Sequence, residues 1–291
     1  MATLRDIKSR IKGVKSTQQI TKAMKMVAAA KLRRAQVSVI NARPYARKIW
    51  QSLSNLASEN DISTNPFFAQ RPVKNVALAI VTADRGLCGA FNSNLIKETV
   101  KTISEESKND AINIQLFCVG KKGFDFFSKR NYNLYDKNLG LFSALKYSEA
   151  LNISQKIISS YLDGTFDKVV IIYNEFKSII QQKIVVEQFL PVTLVTEGPE
   201  KKIRPNYIYE PDQKSIFEYL LPKHLKAQIW RILLESNASE LGARMAAMDN
   251  ASTNAKELIR TLQLKYNKER QAAITKELLE IVAGANALKA S

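Results

Sequence analysis

Histidine is almost missing from this chain. One residue, His224, stands among 291, so neither a His-based metal site nor a His-dependent catalytic triad has the residues it needs. Cysteine is scarce too. Cys88 and Cys118 lie outside any pair motif, which argues against a disulfide scaffold and suits a reducing compartment. Long apolar runs are absent: the longest clean one, Val76–Val81, is far short of the roughly 20 residues a bilayer span needs. No apolar segment near Met1 reads as a signal peptide. Paired carboxylates at metal or acid–base spacing are not evident. Catalysis by the common side-chain sets is therefore not expected, and neither metal nor cofactor is implied.

Positive charge is plentiful. The chain carries 44 basic and 27 acidic residues, a net +17. Residues 1–50 alone hold seven Lys, six Arg and one acid, Asp6, for a net +12. An excess of that size points to acidic partners: nucleic acid, an anionic membrane surface or an acidic protein. The hydrophobic share of 45% is enough to bury a core.

Residues 1–59 read as one long helix, capped by Thr3 with Asp6 three positions on. Steps of three and four from Leu4 give Ile7, Ile11, Val14, Gln18, Thr21, Lys25, Ala28, Leu32, Ala35, Val39, Ala42, Ala46, Ile49, Leu53 and Leu56. Thirteen of these sixteen are apolar, where composition alone would give about seven. The 3.5-residue period predicts a left-handed coiled coil. Its three polar positions cluster at Gln18–Lys25, where the stripe is expected to leave its partner and face something polar. Pro44 should bend the helix locally.

Residues 60–73 are turn-rich. Residues 74–195 change character, with apolar β-branched runs at Lys74–Thr82, Ile112–Val119 and Lys168–Tyr173. Helical stretches lie between them near 91–107, 121–130 and 145–162. That alternation predicts a small α/β domain with a parallel sheet covered on both faces. Lys183–Leu190 follows the last run too closely for a crossover helix, so an antiparallel edge strand is expected there. Residues 196–212, with Pro199, Pro205 and Pro211, read as an extended linker.

A second long helix covers 213–288, its segment taken to 291. Its stripe runs Leu234, Ala238, Leu241, Met245, Met248, Ser252, Ala255, Ile259, Leu262, Tyr266, then shifts phase to Gln271, Ile274, Leu278, Ile281. At about 1.5 Å per residue the two helices would extend about 85 Å and about 100 Å or more. Neither buries its stripe alone, so the simplest arrangement pairs them antiparallel. The expected fold is a long antiparallel coiled coil of 1–59 with 213–291, carrying an inserted Rossmann-like α/β domain at 74–195 as a globular foot.

Few motifs carry chemistry. Asp84-Arg-Gly-Leu-Cys-Gly89 follows the first strand, where nucleotide-binding folds hold a phosphate loop. It is neither G-x-G-x-x-G nor a P-loop. The plainer reading is a structural turn in which Gly86 and Gly89 take unusual backbone angles. Cys88 reads as a buried, inert thiol and His224 as a surface residue. The basic N-terminal helix has two readings: a solvated charged face, or a dock for acidic protein or nucleic acid. It lacks stacking aromatics before Tyr45. The uncharged stretch Ile281–Leu288 is either a frayed helix end or a tip made to turn in an apolar socket.

Two terminal segments resemble a known family. Thr21-Lys-Ala-Met-Lys-Met-Val-Ala-Ala-Ala-Lys31 and Leu264-Lys-Tyr-Asn-Lys-Glu-Arg-Gln-Ala-Ala-Ile-Thr-Lys-Glu-Leu-Leu-Glu-Ile-Val-Ala-Gly-Ala285 are similar to signatures of the gamma subunit of F-type ATP synthases. The Asp84–Gly89 loop and Tyr207-Ile-Tyr-Glu-Pro211 also match, so the resemblance spans the chain. It implies a non-catalytic central rotary stalk, passing torque between an ion-driven c-ring and the catalytic alpha/beta hexamer and so coupling proton flow to ATP synthesis or hydrolysis. The implied beta-subunit contacts are Met24, Lys25, Arg270, Gln271 and Thr275. The implied c-ring and epsilon contacts are Tyr207, Tyr209 and Glu210. One copy per complex is expected. The cysteine-pair insert of the chloroplast form is absent, and no transit peptide precedes Met1. The expected place is the cytoplasmic face of a bacterial inner membrane, held through partners. A coiled-coil nucleic-acid-binding protein is the first alternative, and a nucleotide-binding enzyme built on the middle domain the second.

Overall fold

A computed structural model describes residues 3–56, 65–107, 112–179, 181–193 and 209–290, with side chains to residue 286. In chain order the elements are α1 (Leu4–Leu56), β1 (Asn75–Val81), α2 (Phe91–Glu106), β2 (Asn113–Val119), α3 (Lys121–Ser128), β3 (Leu134–Asn138), a short 3-10 helix (Leu141–Ser143), α4 (Tyr147–Leu162), β4 (Lys168–Phe176), β5 (Gln182–Leu190) and α5 (Gln213–Ala290). Chain contacts divide these into two compact units. One holds residues 1–28 with 245–291, and the other residues 29–244.

In the larger unit a five-stranded sheet has the order β3-β2-β1-β4-β5. β1 pairs in parallel with both β2 and β4, starting from Asn75 opposite Asn113 and Val76 opposite Lys168. β5 runs antiparallel to β4, as the short connection requires. β3, paired in parallel with β2, is a strand that the apolar-run criterion misses. Leu134-Tyr-Asp-Lys-Asn138 lies on an edge, alternates half-buried and exposed residues, and buries none fully.

The central strands are buried on both faces, and their alternate residues feed two cores. Val76, Leu78, Ile80, Leu116, Cys118, Val170 and Ile172 meet Leu95 of α2 and Phe127 of α3. The opposite residues, among them Ala77, Ala79, Phe117, Val169, Ile171 and Tyr173, meet α4. That same core takes in Ile49, Leu53 and Leu56 of α1 and Phe217, Leu221, Leu225, Ile229, Ile232 and Leu233 of α5. The terminal helices thus form one layer of the α/β domain. Their pairing here is antiparallel: Gln213 Nε2 donates to the Leu56 carbonyl at 2.6 Å, and Arg43 Nε to Glu235 at 2.8 Å.

In the smaller unit α1 begins with the expected reciprocal cap. Thr3 N–H donates to Asp6 Oδ2 at 3.0 Å, and Asp6 N–H to Thr3 Oγ1 at 3.3 Å. The backbone bond from Thr3, with its hydroxyl next, holds the Asp6 carboxyl below the ordinary range. All sixteen stripe positions from Leu4 to Leu56 are buried or half-buried. This includes Gln18, Thr21 and Lys25, so the stripe does not leave its partner as expected. Instead the partner supplies the polar group: Lys25 Nζ lies 2.6 Å from Asp249 Oδ1. On α5 the stripe is covered from Leu234 to Tyr266, whereas residues 271–286 are exposed throughout. Pro44 and Pro222 both lie inside continuous helices.

Candidate functional site

The loop after β1 is a structural clasp. Asp84 Oδ1 accepts the N–H groups of Lys121 at 3.1 Å and Gly140 at 2.8 Å, and its Oδ2 accepts that of Phe142 at 3.1 Å. Lys121 is the first residue of α3. A carboxylate of the chain itself therefore sits where a helix N-terminus would otherwise receive a phosphate. Gly89 has φ 58°, but its strained neighbour is Leu87 at φ 65°, not Gly86. Cys88 and Cys118 are buried. Burial pushes both thiols up, that of Cys118 to about 12, which leaves neither as a ready nucleophile.

Open α/β sheets bind ligands at the C-terminal strand ends, where the strand order reverses. Here that point lies between β1 and β4, and α5 fills it. Ser236 Oγ donates to the Val81 carbonyl at 3.3 Å, and Ser239 Oγ to the Asn174 carbonyl at 3.1 Å. Glu235, 1% exposed, accepts the Phe176 N–H at 2.9 Å. Its two oxygens also take Arg43 Nε at 2.8 Å and Nη2 at 2.9 Å. The Glu235 hydrogen bond is the main cause that raises the Arg43 guanidinium pKa. Beside it, Arg244 bonds to Glu240 and, at 2.6 Å, to the Gly86 carbonyl. The chain's own helix occupies the crevice a nucleotide would use.

A shallow groove of about 560 Å³ lies elsewhere in this unit, lined by Ser38, Asn41, Ala42, Tyr45, Tyr147, Ala227, Trp230 and Leu234. No carboxylate, imidazole or thiol lines it, so it offers no acid–base pair and no activated nucleophile.

His224 is buried, not on the surface. It is 8% exposed and its ring lies 4.9 Å from that of Trp50. Nδ1 has no hydrogen-bond partner among the described residues. Burial, with a smaller contribution from Arg231, lowers its pKa to about 4.

The residues expected to meet partners fall in separate places. Met24 and Lys25 are half-buried in the smaller unit. Arg270, Gln271 and Thr275 are exposed there, with Thr275 Oγ1 bonded to the Gln271 carbonyl at 2.9 Å. Lys25 pairs with Asp249, and Asp249 to Arg270 is about 30 Å along one helix. The two sets do not form a single site. In the larger unit, Tyr209 packs on the main core and Glu210 is exposed. Tyr207 lies outside the described residues.

The family model described as ATP synthase matches residues 3–288. The ATP synthase gamma chain of Chlorobium phaeobacteroides is 53% identical over 292 residues, covering 99% of this chain and 100% of that one. That of Chloroherpeton thalassium is 49% identical over 303 residues, covering 100% of both. The chain belongs to the ATP synthase gamma-chain family. Among solved structures, the central stalk and c-ring of Tetrahymena thermophila mitochondrial ATP synthase holds a chain 27% identical. The match has a TM-score of 0.60 and covers 80% of this chain and 99% of that one. A chain in the Euglena gracilis mitochondrial ATP synthase, rotational state 3, matches with TM-score 0.70 over 99% of this chain and 95% of that one. At 22% identity it supports the fold alone.

Membership in the gamma-chain family lends nothing to the nucleic-acid alternative. For a family member, the positions that sequence reasoning missed are informative. Arg43, Glu235 and Arg244 are not in the resembling motifs, yet Arg43 and Glu235 bond to β4 and Arg244 to the loop after β1. A signal was present for Glu235. It directly follows the apolar run Ile232-Leu-Leu234 and adjoins the stripe residue Leu234, where an acid is costly unless paired. No helix among the described residues is long and apolar enough to cross a membrane.

Proposed function

We propose that the chain is the central rotary stalk of an F-type ATP synthase. It transmits torque between an ion-driven c-ring and a catalytic alpha/beta hexamer, coupling ion flow to ATP synthesis or hydrolysis. It carries no active site of its own. One observation carries this reading: about half-identity to ATP synthase gamma chains across the full length of both sequences. The exposed end of α5 supports it. Ile274, Leu278, Leu279, Ile281 and Val282 are each about half exposed or more among the described residues, a state that apolar side chains hold best inside a partner.

In this reading residues 1–59 and 213–291 form the shaft and 74–195 the foot. Met24, Lys25, Arg270, Gln271 and Thr275 face the beta subunits, whereas Tyr207, Tyr209 and Glu210 face epsilon and the c-ring. One copy serves each complex. The protein sits at the cytoplasmic face of a bacterial inner membrane, held there by its partners and not by a span of its own.

Copurification tests this. The full chain, affinity-tagged and expressed in its host, should draw down alpha, beta and epsilon subunits and the c-ring. Recovery of the folded chain without alpha and beta would refute the reading, and tight DNA binding with a steep salt slope in the same preparation would favour the nucleic-acid alternative.

A further inference from the structure

Torque passes between parts of a protein only through contacts that resist sliding. Apolar packing is non-directional, whereas charge-assisted hydrogen bonds weaken steeply with angle. The terminal helices meet the sheet largely through apolar side chains, such as Leu53 and Leu56 from α1 and Phe217, Leu221 and Leu225 from α5. That packing seats the helices on the sheet, and directional bonds add further resistance to twist.

Two polar nodes are superposed on it. In one, Arg231 and Gln228 of α5 bond to Glu187 of β5, with Tyr173 of β4 closing the set, and of the terminal helices it involves α5 alone. The other node takes in both terminal helices. Arg43 of α1 grips Glu235 of α5 with Nε at 2.8 Å and Nη2 at 2.9 Å. Both side chains then close on one residue of β4. Arg43 Nη2 donates to the Phe176 carbonyl at 2.8 Å, and the Phe176 N–H donates to Glu235 Oε2 at 2.9 Å. Three elements meet in a ring of four hydrogen bonds. Ser236 and Ser239 pin α5 alone. Among the described residues, Arg43 is the only side chain of α1 hydrogen-bonded to a strand.

We propose that Arg43 and Glu235, closed on the Phe176 backbone, form the joint that carries torque between the sheet and both terminal helices. This rests on the rotary reading above. Burial makes the joint stiff. Glu235 is 1% exposed, so displacing Arg43 strands a carboxylate with little water to replace its partner. Arg43 and Glu235 are positioning residues: they touch no reacting group and act by fixing the angle between helix and sheet.

The test uses the assembled complex with the alpha/beta sector fixed and a probe on the α/β domain of this chain. Single-molecule recording gives the angular variance during a catalytic pause. Arg43→Lys keeps the charge and loses the fork; Glu235→Gln keeps the shape and loses the charge. Each should raise the variance roughly twofold, since each removes the directional share of the contact and leaves the packing. ATP hydrolysis should be unchanged and ion pumping per ATP should fall. Leu53→Ala, in the same core, is the control for general destabilisation: it should lower the thermal midpoint and leave the variance alone. Unchanged variance in both polar variants overturns the proposal, as does an equal rise in Leu53→Ala. If complexes with the unaltered chain do not rotate, the rotary reading itself falls. If they rotate while the variants stay stiff, only the joint is lost.

Discussion

His224 is a buried titratable residue whose proton affinity is lowered in the fold. Its ring lies 4.9 Å from that of Trp50, tilted by 32°, Nδ1 has no hydrogen-bond partner among the described residues, and burial lowers its pKa from 6.5 to about 4. The groups that bear on it are Arg231, which lowers the pKa, and Glu187, which raises it. The unfolded chain therefore binds a proton between those values while the folded chain does not, and stability falls as pH drops from 6.5 towards 4. The loss from this one group is on the order of 3 kcal/mol at the acid end. Urea-unfolding midpoints measured across that window should show the slope, and His224→Phe should flatten it. An unchanged slope would mean that the imidazole is protonated in the fold. Gly120 matters through its backbone. Its φ is +93°, and an added Cβ would lie 2.0 Å from the Thr82 carbonyl oxygen. Gly120→Ala should cost about 3 kcal/mol or more, seen as a lowered thermal midpoint of the isolated chain.

Of the two long helices, α1 is covered along its whole stripe, whereas α5 divides into a covered part and a bare part. The α5 stripe ends at Tyr266, and every described side chain from 271 to 286 is exposed. Deleting residues after Ala273 should therefore change the stability of the isolated chain by no more than about 0.5 kcal/mol. In the complex the same deletion should weaken coupling, measured as ions pumped per ATP. A large stability loss would show that the tip is packed on its own chain. The covered stripe of α1 was legible residue by residue, because a 3.5-residue period leaves one solution for which side is buried. Its polar interval was misread for a physical reason: period shows which face is covered, not what covers it, and Asp249 on α5 is 224 positions away. β3 was missed because its two-residue alternation lies on a sheet edge that buries little. His224 was misplaced because one polar residue at a helix start carries no sign of the Trp50 that covers it.

For the whole molecule, charge decides how partners are met. A net +17 with +12 in the first fifty residues makes association with an acidic partner fast and salt-sensitive. Binding to isolated alpha and beta subunits should lose roughly tenfold or more in on-rate between low and high salt, with a much smaller change in off-rate. Surface-capture kinetics over a salt series would check this, and a flat on-rate would locate the recognition in apolar contacts instead. Composition, period and motif were enough to determine two long helices, their antiparallel pairing, an α/β insertion and the family, because each is written in local or repeating order. The filled crevice at the strand reversal, the Asp84 clasp and the ring of Arg43, Glu235 and Phe176 were decided only by the tertiary structure. Each joins groups far apart in the chain, and whether a buried charge finds its partner depends on which surfaces the folded core brings together.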